Sequence, residues 1–462
     1  MPKTDAEQLL PDDVLFQLDE MGSADILVGI PSFNSGETIT NVIQAVEAGL
    51  RKYYPDHRAV ICISDGHSDD RTLAVAQAAG VGDDWETLLV PRDTPVPRKI
   101  CFPYKGTSGK GSAFRSIFEV ATRLGVSACA VVDSDLRSIT PAWIDHLLAP
   151  VVHRDYGYVT PIYTRHKYDG TITNCIAFPL TTALYGARIR QPIGGEFGFS
   201  GDLAKVYASQ DVWDTDVARF GIDIWMTSVA LTEGARVAQA VLGAKIHDVK
   251  DPGLHLGPMF RQVVGSLFAL AGRYRDRWWE ISDATSPPVF GFRAAYSAEP
   301  IKVSVPRLTW KFVEGYVRHQ ALWTQILSDE SINGVRDAVG DASENTRGLV
   351  LDADLWTKIV YDFLIAYNAR EVDPGTLIDS LIPLYFARTA TFILEVADAD
   401  NDEAEERVQA NADVAMTLKP YLKRRWRERD VPDRSLDEQV VPQQGVMPED
   451  VAGALENEPT AG

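Results

Sequence analysis

Between residues 26 and 132, short apolar runs alternate with helical stretches, a rhythm that few architectures accommodate. Residues 26–31 (ILVGIP) read as a strand closed by proline, and Ile39, Val42, Ile43, Val46 and Leu50 then recur at helical spacing. The unit repeats: 59–64 is β-rich, 71–79 helical, 87–90 another strand, 113–124 a helix and 128–132 a further apolar strand. This alternation predicts an α/β domain with a mostly parallel sheet covered on both faces. The ligand crevice of such a sheet lies at the carboxyl ends of its strands.

At 462 residues the chain is long for one core and suits two domains. Beyond about residue 258 the pattern changes to long helical stretches at 260–279, 310–327, 355–369, 378–396 and 405–427. They predict an all-helical C-terminal module over 258–430, preceded by an α/β domain at 26–257 and an extension at 1–25. The run 381–386 (LIPLYF) is too apolar for free solvent, so it packs on the first domain or on a second subunit, and a homodimer is expected. From about residue 431 the sequence is polar and acidic without periodicity, which predicts a disordered tail.

With 45 Lys+Arg against 65 Asp+Glu and a net charge of -20, a general basic field for nucleic acid is excluded, and any anionic ligand needs local cations. Apolar runs fall short of the roughly 18 to 20 residues of a membrane span, and the start Met-Pro-Lys-Thr-Asp lacks the apolar core of a signal peptide. A cytoplasmic protein is expected. Cys62, Cys101, Cys129 and Cys175 are scattered without a C-x-x-C pair, so they predict reduced thiols, with no zinc cage or disulfide framework.

Several motifs carry chemistry. Asp133-Ser134-Asp135 follows an apolar strand, and side chains two apart on an extended segment point the same way, toward one hard cation. Alone, a D-x-D is equally the pattern of a solvated turn; its place at a strand end favours the ligand reading. Gly109-Lys110-Gly111-Ser112 opens a helix, either as a phosphate or base cradle with a compact cation or as a plain capping turn. Asp65 ends the second strand, placed to accept from a base or ribose, while Asp69 and Asp70 suit helix caps. Gly194-Gly195-Glu196 is a turn that brings amides to a ligand, or simply a turn. Asp223 opens a helix as dipole partner or hydroxyl-binding acid. His247, in Lys245-Ile246-His247, reads by itself as structural.

Taken in order, IPSFN, SDGHSDD, GKGSAFRS, DSD with TPAWI, QPIGGE, GID and KIH resemble the metal-dependent GT-A glycosyltransferases that make glucosylglycerate, mannosylglycerate and glucosyl-3-phosphoglycerate. The resemblance runs from about residue 26 to about 260. It implies a GT-A nucleotide-sugar-binding domain, a divalent cation (Mg²⁺ or Mn²⁺), a UDP-, GDP- or ADP-hexose donor, and glycerate or phosphoglycerate as acceptor.

Position by position, the resemblance implies a metal held by Asp133, Asp135 and His247. It puts the donor on Pro31, Phe33, Asn34, Asp65, Lys110, Asp133, Ser134, Gly194 and Gly195, with Ser35 standing where many relatives have glutamate after the asparagine. Asp135, Glu196 and Asp223 form the implied catalytic group. Relatives using 3-phosphoglycerate tend to carry a G-G-R-V-T loop; here residues 165–173 read RHKYDGTIT, more similar to the mannosylglycerate synthase pattern. Arg165, Asp169, Gly170, Thr171 and Thr173 are then the acceptor residues, with the carboxylate on Arg165. The implied reaction is retaining transfer of glucose or mannose to D-glycerate, giving a compatible solute. The alternatives are 3-phosphoglycerate, a lipid or a polymer as acceptor, a sugar-1-phosphate nucleotidyltransferase, and a non-catalytic scaffold.

Overall fold

The computed structural model describes residues 9–80, 94–246, 252–292, 301–344 and 348–433. Eight strands form one sheet: β1 (Ile26–Ser32), β2 (Ala59–Asp65), β3 (Arg98–Pro103), β4 (Ala128–Val131), β5 (Tyr158–Thr164), β6 (Phe197–Ser200), β7 (Val237–Ala244) and β8 (Val289–Phe290). Their order is β3-β2-β1-β4-β6-β5-β7-β8, and only β6 runs antiparallel to its neighbours, β4 and β5. The order reverses between β1 and β4, which opens a crevice beyond their carboxyl ends.

Around the sheet lie α1 (Asp12–Met21), α2 (Ile39–Tyr53), α3 (Thr72–Ala78), α4 (Lys110–Leu124), α5 (Pro141–Arg154), α6 (Phe178–Tyr185), α7 (Gly201–Ser209) and α8 (Ile222–Thr232). A π-turn (Thr173–Ala177) leads into α6, and a 3-10 turn (Asp216–Ala218) precedes α8. Then come α9 (Pro252–Arg273), the short α10 (Arg275–Trp278), α11 (Val305–Ile326), α12 (Asp329–Glu344), α13 (Ala353–Ala369), α14 (Pro374–Glu395), α15 (Asn401–Thr417) and α16 (Lys419–Glu428).

Strand alternation divides the core in two. Ile26, Val28, Ile30, Ile61 and Ile63 pack on one face with α2 and α5, while Leu27, Val60, Cys62, Cys129 and Val131 pack on the other with α4. The second core continues without a break through Phe260, Leu267, Leu364 and Leu381, so the helical module shares the interior of the α/β domain. Helix α1 joins the same core through Val14 and Leu18.

The run 381–386 finds its cover inside the chain: Leu381, Leu384 and Tyr385 are buried against the helices around α14, and Ile382 and Phe386 are half-buried. This corrects the argument for a homodimer, which rested on that face being left over. Helix α14 is also the one described helix long and apolar enough to cross a membrane, and 72% of its apolar window is buried in the fold.

Other departures have local causes. The helix expected over 405–427 is broken at Leu418, because Pro420 lacks an amide proton and begins α16. The strand expected at 87–90 and the tail from 434 lie outside the described residues. Cys62, Cys129 and Cys175 are buried free thiols and Cys101 is half-buried, as expected.

Candidate active site

The strand register brings distant residues to one edge. Asp133 lies just beyond β4, and Glu196 just precedes the antiparallel β6, whose Phe197 pairs with Val131. Arg165 and Lys245 directly follow the parallel neighbours β5 and β7, where Thr164 pairs with Ala244. Lys110 begins α4, and Asp223 lies in the first turn of α8.

Their side chains meet in a buried ionic network. Lys110 Nζ is 2.8 Å from Asp133 Oδ1 and 3.2 Å from Asp223 Oδ1. Lys245 Nζ donates to Asp133 Oδ2 at 3.0 Å, to the Gly194 carbonyl at 3.0 Å and to both oxygens of Glu196 at 2.9 Å. The hydroxyl of Tyr163 donates to Glu196 as well, and the Tyr163 ring carries Arg165 and Lys245, whose charges lie 5.0 and 5.4 Å from its centroid.

Burial opposes every charge here, and the partners decide the outcome. For Asp133, burial is outweighed by Lys110 and Lys245, which hold its carboxyl well below the usual range. Burial pushes the carboxyls of Glu196 and Asp223 up, with Lys245 and Lys110 respectively pulling against it. Both lysines, despite burial, are raised by their carboxylates and stay charged.

Two glycines make room for this packing. At Gly195 (φ +94°) a Cβ would lie 2.5 Å from Asp133 Oδ2 and 3.0 Å from Lys245 Nζ, so the chain passes against the ion pair. At Gly111 a Cβ would stand 1.8 Å from the Val217 carbonyl. Of the readings open for the Gly109–Ser112 turn, packing against the 3-10 turn thus explains Gly111, while Lys110 carries the charge.

Loop 165–173 is tied both to β5 and to the helical module. Arg165 pairs with Asp169 at 3.5 Å, its guanidinium lowered from its ordinary value by burial. The Thr171 hydroxyl, expected on an acceptor, bonds Tyr385 of α14 instead. Thr173 is buried in the π-turn, and Gly170 takes φ +65° beside Arg165. Lys167 reaches away from the crevice to the end of α14.

Around β1 and β2, Asp65 is 1% exposed and accepts from Ser32 Oγ (2.9 Å), Ser68 Oγ (2.7 Å) and Ser68 N (2.9 Å). It clasps two loops, which accounts for its burial without a base. Asn34 bonds Ser68 and Asp69, Ser134 bonds Ser35, Pro31 is buried in β1, and Phe33 is 56% exposed at the strand end. Asp70 caps Thr72 as expected.

The fold is similar to solved structures of glucosyl-3-phosphoglycerate synthase from Mycobacterium tuberculosis. The complex with phosphoglyceric acid aligns at 24% identity over 57% of this chain and 85% of that one, with a TM-score of 0.40. The complex with Mn²⁺, uridine diphosphate and glucosyl-3-phosphoglycerate aligns at 23% identity over 57% and 86%, also at 0.40. No protein-family model and no curated protein sequence matches the chain.

The two D-x-D carboxylates stand in different surroundings. Asp133 meets the ammonium groups of Lys110 and Lys245, one on each oxygen, while Asp135 is half-buried in the following turn. The Ile246 amide donates to Ser138 Oγ at 2.9 Å, and its carbonyl accepts from Arg137 N at 2.9 Å. The residue before His247 is thereby seated beside the D-x-D turn. His247 itself lies outside the described residues, and among those described no group of three His, Cys, Asp or Glu side chains stands together as a metal cage.

Lys245 and Tyr163 were missed as site residues in the sequence. The available signal was position alone: each sits at or just past the carboxyl end of a strand, where α/β folds place ligand contacts.

Proposed function

We propose that the chain is a divalent-cation-dependent, retaining GT-A glycosyltransferase that moves glucose or mannose from a nucleoside diphosphate sugar to D-glycerate. The observation that carries this reading is the buried Lys110–Asp133–Lys245–Glu196 network at the strand ends, with Asp223 on Lys110 and Arg165 beside Lys245. Lys110, Lys245 and a bound divalent cation would together offset the carboxylates of the network and meet an anionic donor, in a chain of net charge -20. Asp223 and Glu196 offer carboxylate oxygens to sugar hydroxyls, and Arg165 offers a planar fork to a carboxylate.

Asp135, with His247, would hold the cation, which supplies neutralisation of the leaving diphosphate when bound. The acceptor hydroxyl oxygen bonds the anomeric carbon as the bond from that carbon to the diphosphate oxygen breaks, both on one face. The hydroxyl proton passes to the departing phosphate oxygen. The protein's part is to position both substrates and to exclude water.

Glycerate is favoured over its phosphate by the charges on the acceptor loop. Lys167 is spent on α14 carbonyls, and burial first, then Lys167, keeps His166 below the ordinary histidine range. Arg165, partly offset by Asp169 at 3.5 Å, remains the one guanidinium of the loop, enough for a single carboxylate and without a second cation for a dianionic phosphate. Nucleotide release from UDP-, GDP- and ADP-hexoses with glycerate, 3-phosphoglycerate or no acceptor, with Mg²⁺ or Mn²⁺, tests the reading. Acceptor-dependent release from one donor is expected, and no release with any pair overturns it.

A further inference from the structure

The loop that carries Arg165 and Asp169 is held by a part of the chain more than two hundred residues away. Lys167 Nζ donates to the carbonyls of Val396 (2.7 Å), Ala397 (2.8 Å) and Ala399 (2.7 Å), just past the end of α14. Its own amide donates to Asn401 Oδ1, at the start of α15, at 3.1 Å. Carbonyls at and just past a helix C-terminus carry partial negative charge, so one ammonium meets three of them at once, Val396 also accepting from the Ala399 amide at 3.2 Å.

The neighbours of Lys167 bind the same two helices. Thr171 bonds Tyr385 of α14, and Tyr168 packs on a small apolar cluster that joins Phe178 of α6 to Phe392 and Val408 of α14 and α15. At the far side of the loop, Arg190 bonds both Asn174 and Glu405 of α15, and Asn174 in turn donates to the Asp169 carbonyl. Lys167, Tyr168 and Thr171 are thus tied to the helical module, while Arg165 stacks on the Tyr163 ring at the strand end.

We propose that Lys167 is a positioning residue: through it, the ends of α14 and α15 fix the acceptor loop, and the helical module therefore sets acceptor affinity while leaving donor affinity alone. The acceptor part rests on the reading of Arg165 as the carboxylate seat. Loss of the ammonium removes its three hydrogen bonds, leaves the Val396 carbonyl with the Ala399 amide and the loop with the Lys167 amide bond to Asn401, and touches neither Lys110 nor Asp133.

Full-length Lys167→Met and Lys167→Arg, compared with the parent, test this by two readouts. Amide hydrogen exchange at 165–173 should quicken by about tenfold or more in Lys167→Met, with 26–65 and 110–131 unchanged. KM for glycerate should rise by about 10- to 100-fold with donor KM held within about twofold, and Lys167→Arg should recover most of the loss. Unchanged exchange in the loop, or donor and acceptor KM rising together, overturns the proposal. If no acceptor turns over, exchange alone decides. Quickening confined to the loop then supports the clamp and puts the glycerate reading at fault, whereas unchanged exchange sinks the clamp.

Discussion

Lys245 Nζ stands 3.0 Å from Asp133 Oδ2, so the first carboxylate of the D-x-D pair is neutralised from within the fold, by the residue just past β7. The same ammonium meets Glu196, which is fully buried. Removing it strands two carboxylates in a low-dielectric pocket. The site is therefore a folding element as well as a binding surface, and its variants should show both effects.

Lys245→Met should lose about 3–5 kcal/mol of stability at neutral pH, the usual cost of leaving buried charge unpaired. The pH dependence has a definite sign. Glu196 is raised well above the ordinary carboxyl range by burial, and without Lys245 it is raised further, so the gap to the parent opens as pH rises above the parent's folded Glu196 pKa. Asp133, depressed in the folded parent, contributes stability above its unfolded pKa that is lost as pH falls, which also narrows the gap in acid. Urea unfolding of parent and variant from pH 4.5 to 8 should show curves diverging as pH increases; a constant gap would contradict the ion pairing.

Gly195→Ala should be costly because Gly195 is buried against the ion pair. A methyl group there would press on Asp133 Oδ2 at 2.5 Å in a backbone conformation that L side chains avoid. About 2–4 kcal/mol of stability should be lost through strain and the displaced carboxylate. Thermal unfolding with nucleotide affinity measured alongside checks both halves.

The α/β rhythm was legible because β1, β2 and β4 are buried on both faces, and their apolar runs have no other use. Strand β3 was not, because it lies at the sheet edge between Pro97 and Pro103 and buries only Ile100 and Phe102. Helix α12 escaped notice for a similar reason: its buried face is narrow, with Ile332, Val335, Ala338 and Ala342 amid acidic residues and two glycines. At the site, Asp133, Glu196, Asp223 and Lys110 were readable from motifs. Lys245 was not, since its partners reach it only through the pairing of β4, β6, β5 and β7, and no local pattern encodes that order.

Asp135→Ala should remove divalent-cation-dependent turnover while leaving the unfolding transition within about 1 kcal/mol, because Asp135 is only half-buried in a turn. The parent in EDTA should be equally inactive. Full activity of either sample would return the D-x-D turn to a structural role.

Arg165→Ala should lower kcat/KM for glycerate by about 2–5 kcal/mol, since it leaves the acceptor carboxylate without its fork. Donor KM should stay within about twofold. An equal loss for donor and acceptor would mean that Arg165 acts on Lys245 through the shared Tyr163 ring.

The central claim is the identity of the acceptor, and a one-pot competition tests it most directly. Equal glycerate and 3-phosphoglycerate are offered with the active nucleotide sugar and Mg²⁺, and the products are separated and their anomeric protons read by NMR. The account predicts mainly an α-linked hexosylglycerate. A product that is mainly phosphorylated, or one of inverted configuration, would contradict it.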